Sequence, residues 1–177
     1  HGDVAEYLFN KIPEYRKVDL IYLDPADTEH SIAFNPLHGV NPNYHHLVAS
    51  GLVSVFKKLF SDSWGYRMEY IMRFTFMTLL EYPDSTLLDI QPLLTDTLHR
   101  HKILEYVKNE PTINFWNNEF SKYSAALRAE AIAPILNKTG LFLTNIPLRN
   151  VVGQKTNSFR IQQVLDGSKI LICNFSK

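Results

Sequence analysis

Apolar residues recur along this chain at two periods, and each period predicts a kind of element. Val18-Asp-Leu-Ile-Tyr-Leu23 and Lys169-Ile-Leu-Ile-Cys-Asn-Phe175 are short apolar runs of strand length, the first stopped by Asp24-Pro25 and the second preceded by an Asp166-Gly167 turn. Before the first run, Asp3-Val-Ala-Glu6 has the spacing of a capping box, with Asp3 as cap and Glu6 reaching back. Leu8, Phe9 and Ile12 give that helix an apolar side, and Pro13 with Glu14-Tyr-Arg-Lys17 ends it. Residues 24–43 read as loop, with Phe34-Asn-Pro-Leu37 at the centre.

From Asn43 the texture changes to helical spacing. Val48, Leu52, Val55, Phe56 and Leu59 predict one face of a helix reaching about Phe60. Gly65 precedes a second helix to about Tyr82, with Met68, Ile71, Met72, Thr75 and Leu79 inward, broken by Pro83. Shorter helices follow over 86–94 and from Asp96 to about Asn109, the latter with Leu98, Ile103, Leu104 and Val107 inward. Pro111 opens another through Phe120. Ser124 to Asn137 is the best helix former, with five alanines, and Pro134 predicts a kink. Gly140, Pro147 and Gly153 mark looser chain, and Ser158 caps a short helix through Leu165. The predicted class is mixed α/β, dominated by helix: α/β over 1–42, all-helical over 43–138, and α/β again over 139–177. The strands near 19–23 and 169–174 are expected to be neighbours in one sheet.

Composition narrows the function classes. The chain has 177 residues, enough for one domain with a sizeable core, and 45% of them are hydrophobic. Two Trp, nine Tyr and eleven Phe exclude a disordered linker. The formal net charge is zero, which argues against a free-standing basic nucleic-acid binder but leaves room for a local basic patch. The single Cys173 allows no internal disulfide and suits a reducing cytoplasm; within its apolar strand it reads as a buried, inert thiol. No apolar run approaches the roughly 18 residues of a membrane span, and no signal peptide is visible. The chain starts at His1 and stops at Lys177 directly after a strand-like run, and both ends are expected to be cut.

Few residues carry chemistry by spacing alone. Gly153-Gln-Lys-Thr156 is only an echo of the phosphate-cradling loop, and reads as an ordinary polar loop. No apolar strand ends in Asp-Glu, the acid pair that holds magnesium in such motors. No nucleophile elbow is present. His99 and His101 point to different sides of a helix, and the adjacent His45-His46 do no better, so no metal site is expected. One basic-aromatic cluster stands out. Lys57, Lys58, Trp64, Tyr66 and Arg67 flank the turn between the two long helices. Cations there can neutralise phosphates and an aromatic can stack on an unpaired base. A solvated helix end with a core tryptophan accounts for the same residues. Leu148-Arg149-Asn-Val-Val-Gly-Gln-Lys155 is a second basic stretch that reads as plain surface.

Several segments, in order, resemble the conjugative coupling proteins of type IV secretion (the TraG/TraD type) and their HerA-like DNA translocase relatives. They are His1-Gly-Asp-Val-Ala-Glu6, Ile21-Tyr-Leu-Asp-Pro25, Phe34-Asn-Pro-Leu37, His46-Leu-Val-Ala-Ser50 and Asp62-Ser-Trp-Gly-Tyr-Arg-Met-Glu69, then Ala129–Lys138, Pro147–Gln154 and Lys169–Lys177. The resemblance covers nearly the whole chain, through order and spacing rather than any single motif. It implies the central part of a hexameric, ATP-dependent DNA translocase acting in conjugation and DNA transfer, at the cytoplasmic face of the inner membrane. On that reading, residues 43–138 are a helical insertion, flanked by a few strands of a RecA-like core. The phosphate loop would precede His1 and the acid pair would follow Lys177. The isolated chain is therefore expected to be inactive and to hold no cofactor, although the full-length family uses ATP and Mg.

The resemblance also reweights the basic residues. Lys57, Lys58, Trp64 and Arg67 become candidate contacts for DNA or a protein–DNA substrate. Arg149 becomes the candidate for an arginine offered to a neighbouring subunit's nucleotide, with Arg67 and Arg73 as competitors. Asp3 becomes a nucleotide-proximal residue. A different class of reading makes the helical middle a protein–protein module that recognises a secretion substrate or adaptor without touching DNA. The plainest makes it a packing element of a larger assembly.

Overall fold

The computed structural model describes residues 2–174, apart from the side chains of Asp3 and Phe142. His1 and Phe175 at the tip of the second apolar run, with Ser176 and Lys177 after it, lie outside the described residues. Helix dominates, with one small sheet. The element order is α1 (Gly2–Lys11), β1 (Leu20–Leu23), α2 (His45–Leu59), α3 (Tyr66–Glu81), α4 (Ile90–Thr95), α5 (Thr97–Leu104), α6 (Glu110–Asn114), α7 (Ala125–Thr144), α8 (Ile146–Val152), α9 (Ile161–Asp166) and β2 (Ile170–Cys173).

The two strands pair as expected, and they are parallel, with Leu20 opposite Ile170 and Leu23 opposite Cys173. Parallel neighbours require a crossover, and here residues 24–169, the whole helical body, form it. The Asn174 amide extends the ladder by donating to the Leu23 carbonyl at 2.8 Å. Asp19 closes the base of the sheet with Lys169 at 2.7 Å and Arg16 at 3.1 Å. Among the described residues the sheet has only these two strands. Leu23 and Ile172 are buried, while the apolar residues between are half-buried. Leu8 and Phe9 of α1, predicted to form its apolar side, are exposed, and Ala5 is the buried residue there. Cys173 is exposed rather than buried, since it faces away from the side on which Ile172 is buried. What burial it has still pushes the thiol above its ordinary value.

The helical body is built round α3. Met68, Ile71, Met72, Thr75, Phe76, Thr78, Leu79 and Leu80 are buried, so nearly every side of this helix meets a neighbour, chiefly α2 and α7. Thr75 and Thr78 survive burial by donating their hydroxyls back to the Ile71 and Phe74 carbonyls, at 2.9 and 2.7 Å. α2 has the predicted period but a rotated face. His45, Ala49, Val53 and Phe56 are buried, whereas Val55 and Leu59 are exposed. Ala49 offers little bulk there and lets α3 approach. In α5 the inward residues are Arg100 and Ile103, and Leu98 points to solvent.

Three local features depart from the predicted helices. After α6 the chain makes a π-helical turn, Phe115–Glu119, which seats Phe115, Trp116 and Phe120 together in the core. α7 runs past Asn137 and Gly140 to Thr144, unbroken by Pro134. Ser124 caps it, accepting from the Leu127 amide at 3.2 Å. Ser158 does not cap α9. Its hydroxyl accepts from the Ala33 amide at 2.9 Å, and its amide donates to the Ala33 carbonyl at 3.0 Å. Loop 33–37 is thereby fastened to the C-terminal segment.

Candidate functional site

The turn between α2 and α3 is organised by one acid that sequence reasoning passed over. Glu69 lies in the first turn of α3, where the helix dipole favours a carboxylate. Its Oε2 accepts from the Trp64 indole Nε1 at 2.8 Å and from Lys57 Nζ at 3.2 Å. Its other oxygen lies 3.5 Å from Arg73. The Trp64 and Lys57 hydrogen bonds, aided by the charges of Lys57 and Arg73, hold the Glu69 carboxyl below its ordinary value. The signal was available: Glu69 and Arg73 stand four apart, the spacing of a helical ion pair.

This arrangement divides the predicted cluster. Lys57, Trp64 and Arg73 converge on Glu69. Arg67, two residues before Glu69, leaves the helix on another side and reaches Glu130 of α7 at 3.5 Å. Lys58 follows Lys57 in the last turn of α2, is exposed, and enters no ion pair among the described residues. Tyr66 is 93% exposed and is the outermost aromatic of the turn. Trp64 packs its ring partly against the core and spends its N–H on Glu69, so its edge rather than its face is committed. Lys58 is exposed, and Lys57, Arg67 and Arg73 each keep about half of the side chain exposed beside their acids.

The other candidates stand elsewhere. Arg149 lies in α8, exposed, with no ion pair among the described residues. It borders a shallow hollow of about 380 Å³ lined also by Glu29, Ser31 and Gln154. Asp3 falls within the span of α1 rather than ahead of it, and its side chain lies outside the described residues. Gly153 is explained by packing. It follows α8, and a Cβ there would come within 2.6 Å of both the Arg149 carbonyl oxygen and the Leu88 side chain. Among the described residues no group of three or more His, Cys, Asp or Glu could hold a metal ion. None of the described helices is long and apolar enough to cross a membrane.

Glu69→Gln is expected to release Lys57 and Arg73 and to destabilise the turn by about 1 kcal/mol at neutral pH. A carboxylate with a depressed folded-state pKa contributes stability above its unfolded value of about 4.3, and loses it as pH falls through the folded value. The parent should therefore exceed the variant in thermal stability at pH 7 and converge with it in acid. A difference that stays constant from pH 7 to pH 3 would refute the assigned role.

Comparison of the chain with family models, with curated proteins and with solved structures finds no match.

Proposed function

We propose that this chain is the helical, substrate-facing part of an ATP-driven DNA translocase of the coupling-protein type, together with a portion of its RecA-like sheet. The observation that supports the reading is the parallel β1–β2 pair, with a helical body as its crossover. Parallel sheets normally have both faces covered and several strands. A two-stranded parallel pair with half-buried apolar residues has the character of a portion of a larger sheet. The ordered segments quoted above carry the choice of family. In this reading residues 43–138 are the insertion, Lys57, Lys58, Trp64 and Arg67 meet DNA or a protein–DNA substrate, and Arg149 faces a neighbouring subunit's nucleotide.

The sequence holds no phosphate loop, so the purified chain is expected to hydrolyse no ATP above a contaminant control. Fluorescence anisotropy with a single-stranded oligonucleotide tests the substrate surface. Weak binding is expected at low salt and should fade as salt rises, with a log–log slope of about −0.7 for each phosphate contacted. Lys57→Glu with Lys58→Glu should weaken it further. Undiminished binding by that double variant removes the surface from the reading. The Lys57–Glu69 and Arg73–Glu69 pairs also favour a second reading, because they spend positive charge that DNA would use. No oligonucleotide binding at low salt, with a protein partner retained at high salt, would select the protein-recognition module instead.

A further inference from the structure

We propose that the pocket between α5, α7 and the π-helical turn is a binding site for a dianionic phosphate group. The site shares no residue with the α2–α3 turn. Its cavity of about 270 Å³ is lined by Thr97, Arg100, His101, Trp116, Ser121 and Arg128, among others. Two arginines enter it and, among the described residues, no carboxylate lines it. Arg100 is only 7% exposed, a rare state for a charged residue without an acid partner.

The hydrogen bonds of these arginines show what is satisfied and what is left. Arg100 donates to the Leu93 and Leu94 carbonyls at the end of α4, at 2.9 and 3.3 Å, and to the Thr97 hydroxyl at 3.2 Å. Arg128 donates one terminal nitrogen to the Ser121, Tyr123 and Phe120 carbonyls, at 3.1–3.5 Å. Its Nε is buried and has no partner. Both guanidinium groups lie over the Phe120 ring, at 5.3 and 5.4 Å from its centroid. Helix-end carbonyls supply partial negative charge but not a full one. The carboxylate acting most on Arg100 is Asp96, whose Oδ1 already caps α5 through the Leu98 and His99 amides. Burial first, and then the Arg128 charge, push the Arg100 guanidinium below its ordinary value.

Two like charges on one ring, in a small recess lined by no carboxylate among the described residues, call for an anion of charge near −2. A phosphate monoester carries that charge at neutral pH. Its oxygens suit the planar forks of arginine. The Thr97 hydroxyl, which accepts from Arg100, keeps its own proton to donate at the rim. The π turn that places Trp116 and Asn117 against the cavity is a rare element, and such turns cluster at functional sites.

Titration of the chain with inorganic phosphate, followed calorimetrically and by thermal unfolding against chloride of equal ionic strength, tests the site. Saturable binding is expected, weakened about tenfold or more in Arg128→Gln and unchanged in Arg160→Gln, which removes an exposed arginine elsewhere. Arg128→Lys keeps the charge without the fork and should fall between, and it serves as the test if the glutamine variant fails to fold. Equal binding by parent and Arg128→Gln, or by parent and the lysine variant in that case, overturns the site, as does a shift that chloride reproduces. Competition by a 5′-phosphorylated oligonucleotide, but not by its unphosphorylated twin, would assign the phosphate to strand ends. Phosphate binding without that competition would assign it to a free phosphate monoester.

Discussion

Trp116→Ala is expected to destabilise the chain by about 3–5 kcal/mol, the range for emptying a large aromatic site in a packed core. Trp116 is 2% exposed and sits edge-on to both Phe115 and Phe120, with ring centroids 4.9 Å apart in each case. Its Nε1 donates to the Thr78 hydroxyl at 2.7 Å, tying the π turn to α3. Truncation therefore removes ring volume, two edge contacts and one buried hydrogen bond together. In a domain whose whole stability is about 5–15 kcal/mol, the melting temperature should fall by about 6–20 °C. Trp116→Phe separates the contributions, because it keeps a ring and loses only the hydrogen bond and part of the volume. A cost under 1 kcal/mol for the alanine variant would mean that the turn is not held by this side chain.

The elements that could be read from the sequence are those whose pattern is local and whose neighbours agree with it. α3 is one: Met68, Ile71, Met72, Thr75 and Leu79 keep a helical period and all are buried. The pairing of β1 with β2 is another, because two short apolar runs without a second sheet to join have little choice. α2 shows where periodicity stops short. Its stripe can be drawn through Val55 and Leu59 or through Ala49 and Val53. Only the approach of α3 decides between them, and that is a tertiary fact. The π turn leaves no trace in the spacing of Phe115, Trp116 and Phe120. Arg100 was hidden for the opposite reason, because charge marks a residue as exposed unless its partners are known to be the carbonyls at the end of another helix.

The candidate site divides along the same line. The basic-aromatic turn was visible as composition. That Glu69 gathers Lys57, Trp64 and Arg73 while Arg67 turns to Glu130 follows from helical angles and from the position of α7. Phe34-Asn-Pro-Leu37 was visible as a motif, but its physical role was not, since its partners lie about Ser85 and about residues 155–158. Those contacts also make it the second most sensitive position.

Asn35→Leu is expected to cost about 2–5 kcal/mol, since each buried polar group left without a partner costs about 1–3 kcal/mol. Asn35 is fully buried. Its Nδ2 donates to the Ser85 carbonyl at 2.7 Å, just past the end of α3, and its Oδ1 accepts from the Leu37 amide at 3.0 Å. Its own amide donates to the Asn157 side chain. One residue thus joins the loop after β1, the exit of α3 and the segment leading to β2. Leucine fills the volume but satisfies neither the carbonyl nor the amide. Asn35→Asp sharpens the test. It keeps the acceptor for Leu37 but faces the Ser85 carbonyl with an oxygen, which is tolerable only when that oxygen is protonated. The new carboxyl would have a folded-state pKa raised above its unfolded value of about 3.9. Its favourable state is fully present below the unfolded value and is lost as pH rises through the folded one. Relative to the parent, the aspartate variant should therefore be closest in stability near pH 4 and furthest at pH 7. An aspartate variant whose deficit is the same at both pH values would show that the Asn35 amide does not hold the Ser85 carbonyl.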